Sequence, residues 1–258
     1  MATTLITGAS LGIGLELAKY AASKGDNLIL VARNEEKLNA LATEIKTAYN
    51  VNVKVIAADL SNMQQVQMVY DVCKKENIAI DNLINNAGFG DFGLFAASDW
   101  AKIEQMIQLN IISLTKMCRL FIPDMIAKKS GKILNVASTA AFMPGPMMAV
   151  YFATKSYVLH FSEAIYNELQ GTGVSITTLC PGATQSNFFV TADAENSKLV
   201  KGRKLPTAKE VAIFGYNAMT NKKMTAIHGI RNWILANSVR FSPRKLVLKI
   251  TRMIQNEA

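Results

Sequence analysis

Cysteine and histidine are scarce in this chain of 258 residues, with three of the first and two of the second. Cys73, Cys118 and Cys180 share no metal or redox spacing, and His160 and His228 have too few other ligands nearby for a zinc site, so no metal is expected. An odd number of scattered thiols suits a reducing cytosol. Long apolar runs are missing too. The longest stretches are too short and too interrupted to span a bilayer, and no basic-then-apolar leader precedes the first strand-like run. A cytoplasmic protein is the expectation. Charged residues make up only 18% against 50% hydrophobic, which excludes a disordered chain. Without repeats, low-complexity tracts or a Pro/Gly linker, residues 1–258 fit one large α/β domain.

Acidic residues nearly vanish from the last quarter. Residues 198–258 hold 13 Lys or Arg against Glu210 and Glu257, a net of +11, while residues 1–197 carry a net of −2. Neither an aromatic-interleaved groove nor a nucleic-acid motif accompanies the basic stretch, so nucleic acid is not the expected partner. Within the basic segment of about residues 231–258, Pro243 to Ile254 reads as a helix. Leu246, Val247, Ile250, Met253 and Ile254 share one face, and Arg244, Lys245, Lys249 and Arg252 largely cover the other. Such a helix can lie on an anionic membrane or meet an acidic carrier protein or acyl-CoA. Packing of its apolar stripe on the fold or on a second subunit is the favoured expectation.

What is present is regular alternation. Strand-like runs recur at 3–7, 27–32, 53–57, 81–85, 131–137, 173–180 and, more briefly, 224–228. Helix-like stretches lie between them at 14–24, 35–49, 62–76, 99–128 and 151–170, with Asn110 inside the fourth and Pro123 expected to bend or re-cap its end. This pattern predicts an α/β, doubly wound fold with a mostly parallel seven-stranded sheet and helices on both faces. Residues 186–206 are polar and irregular and suit a flap over a site.

Two motifs carry chemistry. The turn Thr7-Gly8-Ala9-Ser10-Leu11-Gly12-Ile13-Gly14 follows an apolar run and precedes a helical pattern. Glycines there allow a tight turn and bring backbone amides to a pyrophosphate at a helix N-terminus. Tyr151 and Lys155 sit four apart, one turn along a helix face, and Ser138 lies thirteen residues upstream at the end of a strand. An ammonium beside a phenol favours phenolate and draws its pKa towards neutrality. Because ligands of doubly wound sheets bind beyond the carboxyl ends of the strands, Gly8, Asp59, Asn86, Ser138 and Pro181, each just after a strand-like run, are expected at one edge.

Together with Asp59-Leu60, Asn85-Asn86-Ala87-Gly88, Asn110 and Pro181-Gly182, these motifs resemble the short-chain dehydrogenase/reductase family in its single-domain form of about 250 residues. The resemblance covers nearly the whole chain. It implies a nicotinamide-dependent oxidoreductase that interconverts a carbonyl and an alcohol. Tyr151 would be the acid-base residue, Lys155 would hold the nicotinamide ribose and depress the tyrosine pKa, Ser138 would steady the substrate oxygen, and Asn110 would hold a water leading from Lys155. Gly8, Ser10, Gly12, Ile13 and Gly14 would surround the pyrophosphate and adjoining ribose. Asp59 and Leu60 would flank adenine, Asn86, Ala87 and Gly88 would support the nucleotide, and Pro181, Gly182 and Thr184 would meet the nicotinamide end. Family analogy also suggests a homodimer or homotetramer built on the helices at 99–128 and 151–170.

At the end of the second strand Ala32 stands where an NAD-preferring site carries an acid, and Arg33 follows it. A guanidinium fork complements a phosphate dianion, so NADP(H) is expected over NAD(H). Phe89, Phe92, Leu94, Phe95, Phe142, Met143, Met147, Met148, Phe188 and Phe189 surround the expected pocket and suit an apolar ketone or aldehyde. Two alternatives stand beside this reading. One is a 3-ketoacyl reductase acting on carrier- or CoA-bound chains, which the basic segment would help explain. The other is a catalytically idle cofactor-sensing or scaffold protein, against which Asn110, Ser138, Tyr151 and Lys155 all argue.

Overall fold

A computed structural model of the protein describes residues 1–186, 188, 192 and 204–255. Its strands are β1 (Thr3–Thr7), β2 (Asn27–Ala32), β3 (Val53–Ala57), β4 (Asn82–Asn85), β5 (Gly131–Val136), β6 (Val174–Cys180) and β7 (Thr225–Ile227). They pair in the order β3-β2-β1-β4-β5-β6-β7, every pair parallel. The order reverses between β1 and β4, and the crevice of such a sheet opens there, beyond the carboxyl ends of the strands.

The period of two along each strand divides the core between two faces. Leu5, Ile29, Val31, Leu83, Ile133 and Ile176 point to one side, and Ile6, Leu28, Leu30, Ile84, Leu134 and Leu179 to the other. The first side is covered by α3 (Met63–Lys75), α5 (Leu114–Ala127) and α6 (Ala149–Glu168). The second is covered by α1 (Gly12–Ser23), α2 (Glu35–Tyr49) and α7 (Ala208–Thr220). Apolar runs in the strands therefore mean burial on both faces. Beyond β7 lie α8 (Ile230–Ser238) and α9 (Arg244–Gln255).

The stretch expected as one helix over 99–128 is three pieces: α4 (Trp100–Ile107), a π-helical turn over Gln108–Ser113, and α5. Asn110 lies in the π turn, a widening that occurs often at functional sites. Pro123 does not re-cap α5, which continues to Ala127. Most of the segment expected as a flap at 186–206 (187, 189–191 and 193–203), together with Phe189, lies outside the described residues, as do 256–258 of the basic segment.

Opposite the crevice, Asp26 is buried at 5% exposure and forms no ion pair among the described residues. Its Oδ2 accepts from Thr4 Oγ1 at 2.6 Å, Tyr216 OH at 2.7 Å and Asn82 Nδ2 at 3.3 Å, which ties β1, β2, β4 and α7 together. Asp26→Ala strands these donors in a dry site and is expected to cost about 3 kcal/mol. Urea unfolding checks this, and a loss below about 1 kcal/mol would show the cluster to be dispensable.

Candidate active site

The glycine turn is built by close approach. A Cβ on Gly14 would meet Gly8 O at 2.2 Å and Asn86 Nδ2 at 2.4 Å, while Gly8 and Gly12 have φ of +66 and +55. Asn86 Nδ2 donates to Thr7 O and Gly8 O at 3.0 and 3.2 Å, and Thr7 Oγ1 accepts from the amides of Asn86 and Ala87 at 3.0 Å each. The loops after β1 and β4 are thereby locked together. Gly14 contributes to that lock and does not line the cavity, unlike Gly8, Ser10, Gly12 and Ile13. No side chain caps α1 at Leu11, and Gly12 and Ile13 at the start of the helix line the cavity.

The cavity encloses about 630 Å³. Of the residues read from the sequence, Arg33, Asp59, Leu60, Asn86, Ala87, Gly88, Ser138, Tyr151, Lys155, Pro181, Gly182 and Thr184 all line it. Segments after six parallel strands converge because every carboxyl end faces one edge. Asp59 is set by a tight turn, its Oδ1 accepting from Ser61 N at 2.9 Å and Ser61 Oγ at 2.8 Å. Pro181 O accepts from Thr139 N at 2.9 Å, and Gly182 packs so closely on Asn232 that a Cβ would meet its Nδ2 at 2.5 Å.

At the reacting end, Tyr151 is 8% exposed and Lys155 6%. Lys155 Nζ donates to Val136 O at 2.8 Å and lies 5.8 Å from the Tyr151 ring centroid. Burial pushes the phenol up to about 12, opposed by its hydrogen-bonding contact with Ser138. Burial also brings the ammonium down to about 8, with Cys180 acting the other way. The amine therefore does not draw the phenol towards neutrality in this structure. Both groups have lost water, and the ammonium spends its closest contact on a carbonyl. Ser138 Oγ accepts from Ala140 N at 3.1 Å and faces Pro181 O at 3.4 Å.

Asn110 is 1% exposed and lies behind the cavity wall. Its Nδ2 donates to Phe89 O at 2.9 Å and Thr154 Oγ1 at 3.1 Å, and its Oδ1 accepts from Phe89 N at 3.2 Å. A Cβ on Gly88 would come within 2.9 Å of Asn110 Oδ1 and 3.5 Å of Lys155 Nζ, so the asparagine stands one atom layer from the amine. Both of its amide hydrogens are used on protein partners.

Among the apolar residues expected around the pocket, Phe89, Met143, Met148 and Phe188 line it, and Phe188 covers the Tyr151 ring with centroids 5.1 Å apart. Phe92 packs in the adjoining cluster, Phe142 against the main core, and Leu94 and Phe95 stand 56% and 63% exposed. Met147 instead forms a turn at φ 68.

Several lining residues escaped the sequence reading, Lys37 and the inner side of α9 among them. Lys37 joins Arg33 at the end beyond Ala32, carried there because Asn34 caps α2 by accepting from Lys37 N at 2.8 Å. Val247, Ile250, Thr251, Ile254 and Gln255 bring α9 over the cavity, and only their helical period was legible. That period splits. Val247 and Thr251 turn inward, whereas Leu246, Ile250 and Met253 are 48%, 44% and 61% exposed.

A family model described as short chain dehydrogenase matches residues 2–197. A very-long-chain 3-oxoacyl-CoA reductase of Anas platyrhynchos is 28% identical over 263 residues, covering 98% of this chain and 81% of that protein. The structure of a short-chain dehydrogenase from Sphingobium yanoikuyae in complex with NADPH superposes with a TM-score of 0.84 at 30% identity, over 93% of this chain and 94% of that one. A short chain dehydrogenase/reductase from Burkholderia phymatum in complex with NAD gives 0.82 at 25% identity, over 100% and 96%.

Proposed function

Since the chain belongs to the short-chain dehydrogenase family, we propose that it is an NADP(H)-dependent reductase of a large apolar carbonyl compound. The observation that carries this reading is the convergence of Ser138, Tyr151 and Lys155 on one cavity with the uncapped turn of α1 and the Arg33–Lys37 pair. A dinucleotide fits these residues. Gly8 and Gly12 line the cavity beside the start of α1, and Ala32 places no carboxylate where a 2′-phosphate would sit.

Pro181, Gly182 and Thr184 would hold a reduced nicotinamide, which would supply hydride there. The protein's own residues do the rest. Ser138 Oγ holds the carbonyl oxygen, Tyr151 gives it a proton, and Lys155, steadied by Val136 O, places a cation beside both the phenol and the ribose hydroxyls. A phenol held near 12 is protonated at neutral pH and so carries the proton that the carbonyl oxygen takes up. Asn110 acts as a positioning residue that fixes Phe89 and the floor under Lys155.

Phe89, Met143, Met148, Phe188 and the inward side of α9 suit an extended apolar chain or a bulky ketone. The name of the Anas platyrhynchos relative favours a 3-oxoacyl thioester within that class. A screen of aliphatic, aromatic and steroid ketones against 3-oxoacyl thioesters, followed by NADPH oxidation, tests this; turnover of none of them removes the proposal. An oligomer built on α4, the π turn and α6 is supported by exposed Trp100, Ile112 and Tyr157 at 66%, 42% and 38%.

Arg33 and Lys37 should decide the cofactor. Arg33→Ala is expected to lower kcat/KM for NADPH by roughly tenfold to a hundredfold and leave NADH nearly unchanged, as lost charge-assisted contacts to phosphate require. The double change with Lys37→Ala should fall further. Equal loss with both cofactors would point to a general structural effect and end the NADP(H) assignment.

A further inference from the structure

Among the described residues, twenty large hydrophobic side chains are strongly exposed, and nine of them fall between Ile230 and Met253. Phe241 is 88% exposed, Ile230 71%, Ile234 56% and Trp233 52%, on α8 or the short turn after it. Leu246, Ile250 and Met253 add an outward stripe along α9. Interleaved with them are Arg231, Arg240, Arg244, Lys245, Lys249 and Arg252, all exposed, with no acidic residue between Arg231 and Gln255. None of the six cations is paired with a carboxylate among the described residues. Apolar side chains in water beside uncompensated cations are the composition of a helix that lies in an anionic lipid interface. No helix among the described residues is long and apolar enough to cross a membrane.

The patch is also continuous with the cavity. Leu235 and Ile250 are 40% and 44% exposed, and both line it. From this continuity and charge we propose that α8 and α9 form a platform resting on an anionic bilayer surface, with the cavity mouth turned to the lipid so that an apolar substrate enters from the membrane. A second copy of the chain fits the patch poorly, because a two-fold contact would set cation against cation. Exposed Trp100, Ile112 and Tyr157 offer a second copy an apolar surface elsewhere on the fold. Entry of substrate from the lipid rests on the function proposed above, whereas contact with the bilayer does not, and vesicle binding reads that contact without turnover.

The full chain is floated with phosphatidylcholine vesicles, with and without phosphatidylserine. Binding is expected only where phosphatidylserine is present, and it should weaken as salt rises. With each cation near an anionic surface contributing roughly fivefold, the triple change Arg240→Gln, Arg244→Gln and Lys245→Gln should lose about a hundredfold in partition. Trp233→Ser with Phe241→Ser should also weaken binding while keeping the thermal midpoint and NADPH affinity of the parent, since both side chains face water. Three results would overturn the proposal: no flotation with either vesicle, equal flotation of parent and variants, or a halved mass by sedimentation for the Trp233/Phe241 variant, which would assign the patch to a second copy.

Discussion

Tyr151→Phe is expected to lower kcat for NADPH-dependent reduction by about a thousandfold, the scale of a lost general acid. Only the hydroxyl is removed. The ring keeps its edge contact with Phe152 at 6.1 Å between centroids and its tilted contact with Phe188 at 5.1 Å, so the fold and the cofactor cleft should survive. NADPH affinity, read from quenching of protein fluorescence, should stay within about twofold of the parent, because uniform binding does not depend on the reacting proton. This pairing of results also separates an enzyme from a catalytically idle nucleotide sensor, whose affinity and output would not depend on the phenol. A variant that retained more than about a tenth of the parent rate would show that another group gives the proton.

Lys155→Met should abolish turnover and, unusually for a buried substitution, make the free protein more stable at pH 7. The ordinary lysine value is 10.5 and burial lowers it to about 8, so the fold disfavours the charged form. That penalty is fully present below pH 8 and is relieved as pH rises from 8 towards 10.5, since the unfolded chain then holds a proton that the folded chain has released. At neutrality it amounts to about 3 kcal/mol. Losing the hydrogen bond to Val136 O returns about 1 kcal/mol, leaving a net gain of roughly 2 kcal/mol. The parent protein should therefore gain stability between pH 8 and 10, by at most about 1.4 kcal/mol per unit from this group. Above 10 the tyrosine acts in the opposite sense. Its folded value near 12 exceeds its ordinary 10, so its contribution is lost from pH 10 to 12.

Urea midpoints of parent and variant across this range check both signs, and a variant no more stable at pH 7 than at pH 10 relative to the parent would refute the buried-charge account. The same value near 8 predicts that kcat/KM for reduction holds below that pH and declines above it as the ammonium discharges.

Sequence pattern made most of the sheet legible, because strand identity depends on neighbouring residues. Runs such as Leu28-Ile29-Leu30-Val31 are apolar at every position, which only a strand covered on both faces tolerates, and the observed strand Asn27–Ala32 has the expected bounds. Glu35–Tyr49 likewise has the expected bounds, since Asn34 caps its start and Asn50, at φ 51, ends it in the left-handed region. The π turn at Asn110 was not legible. One widened turn shifts the side-chain register without changing residue type, so 99–128 reads as a single helix. Lys37 looks like any solvated charge on a helix until the Asn34 cap fixes which way that helix begins.

What the sequence determined by itself is the alternation of strands and helices, the glycine turn, and the identity of the residues at the strand ends, because local spacing dictates each of them. Tertiary structure alone decided which of those residues share a cavity, that Gly14 and Asn110 support its wall from behind, and that burial pushes the Tyr151 phenol up and the Lys155 ammonium down. It also decided that α9 divides its apolar face between the cavity and the solvent. These outcomes depend on distances and on exclusion of water between segments far apart along the chain, and helical period or residue spacing encodes neither.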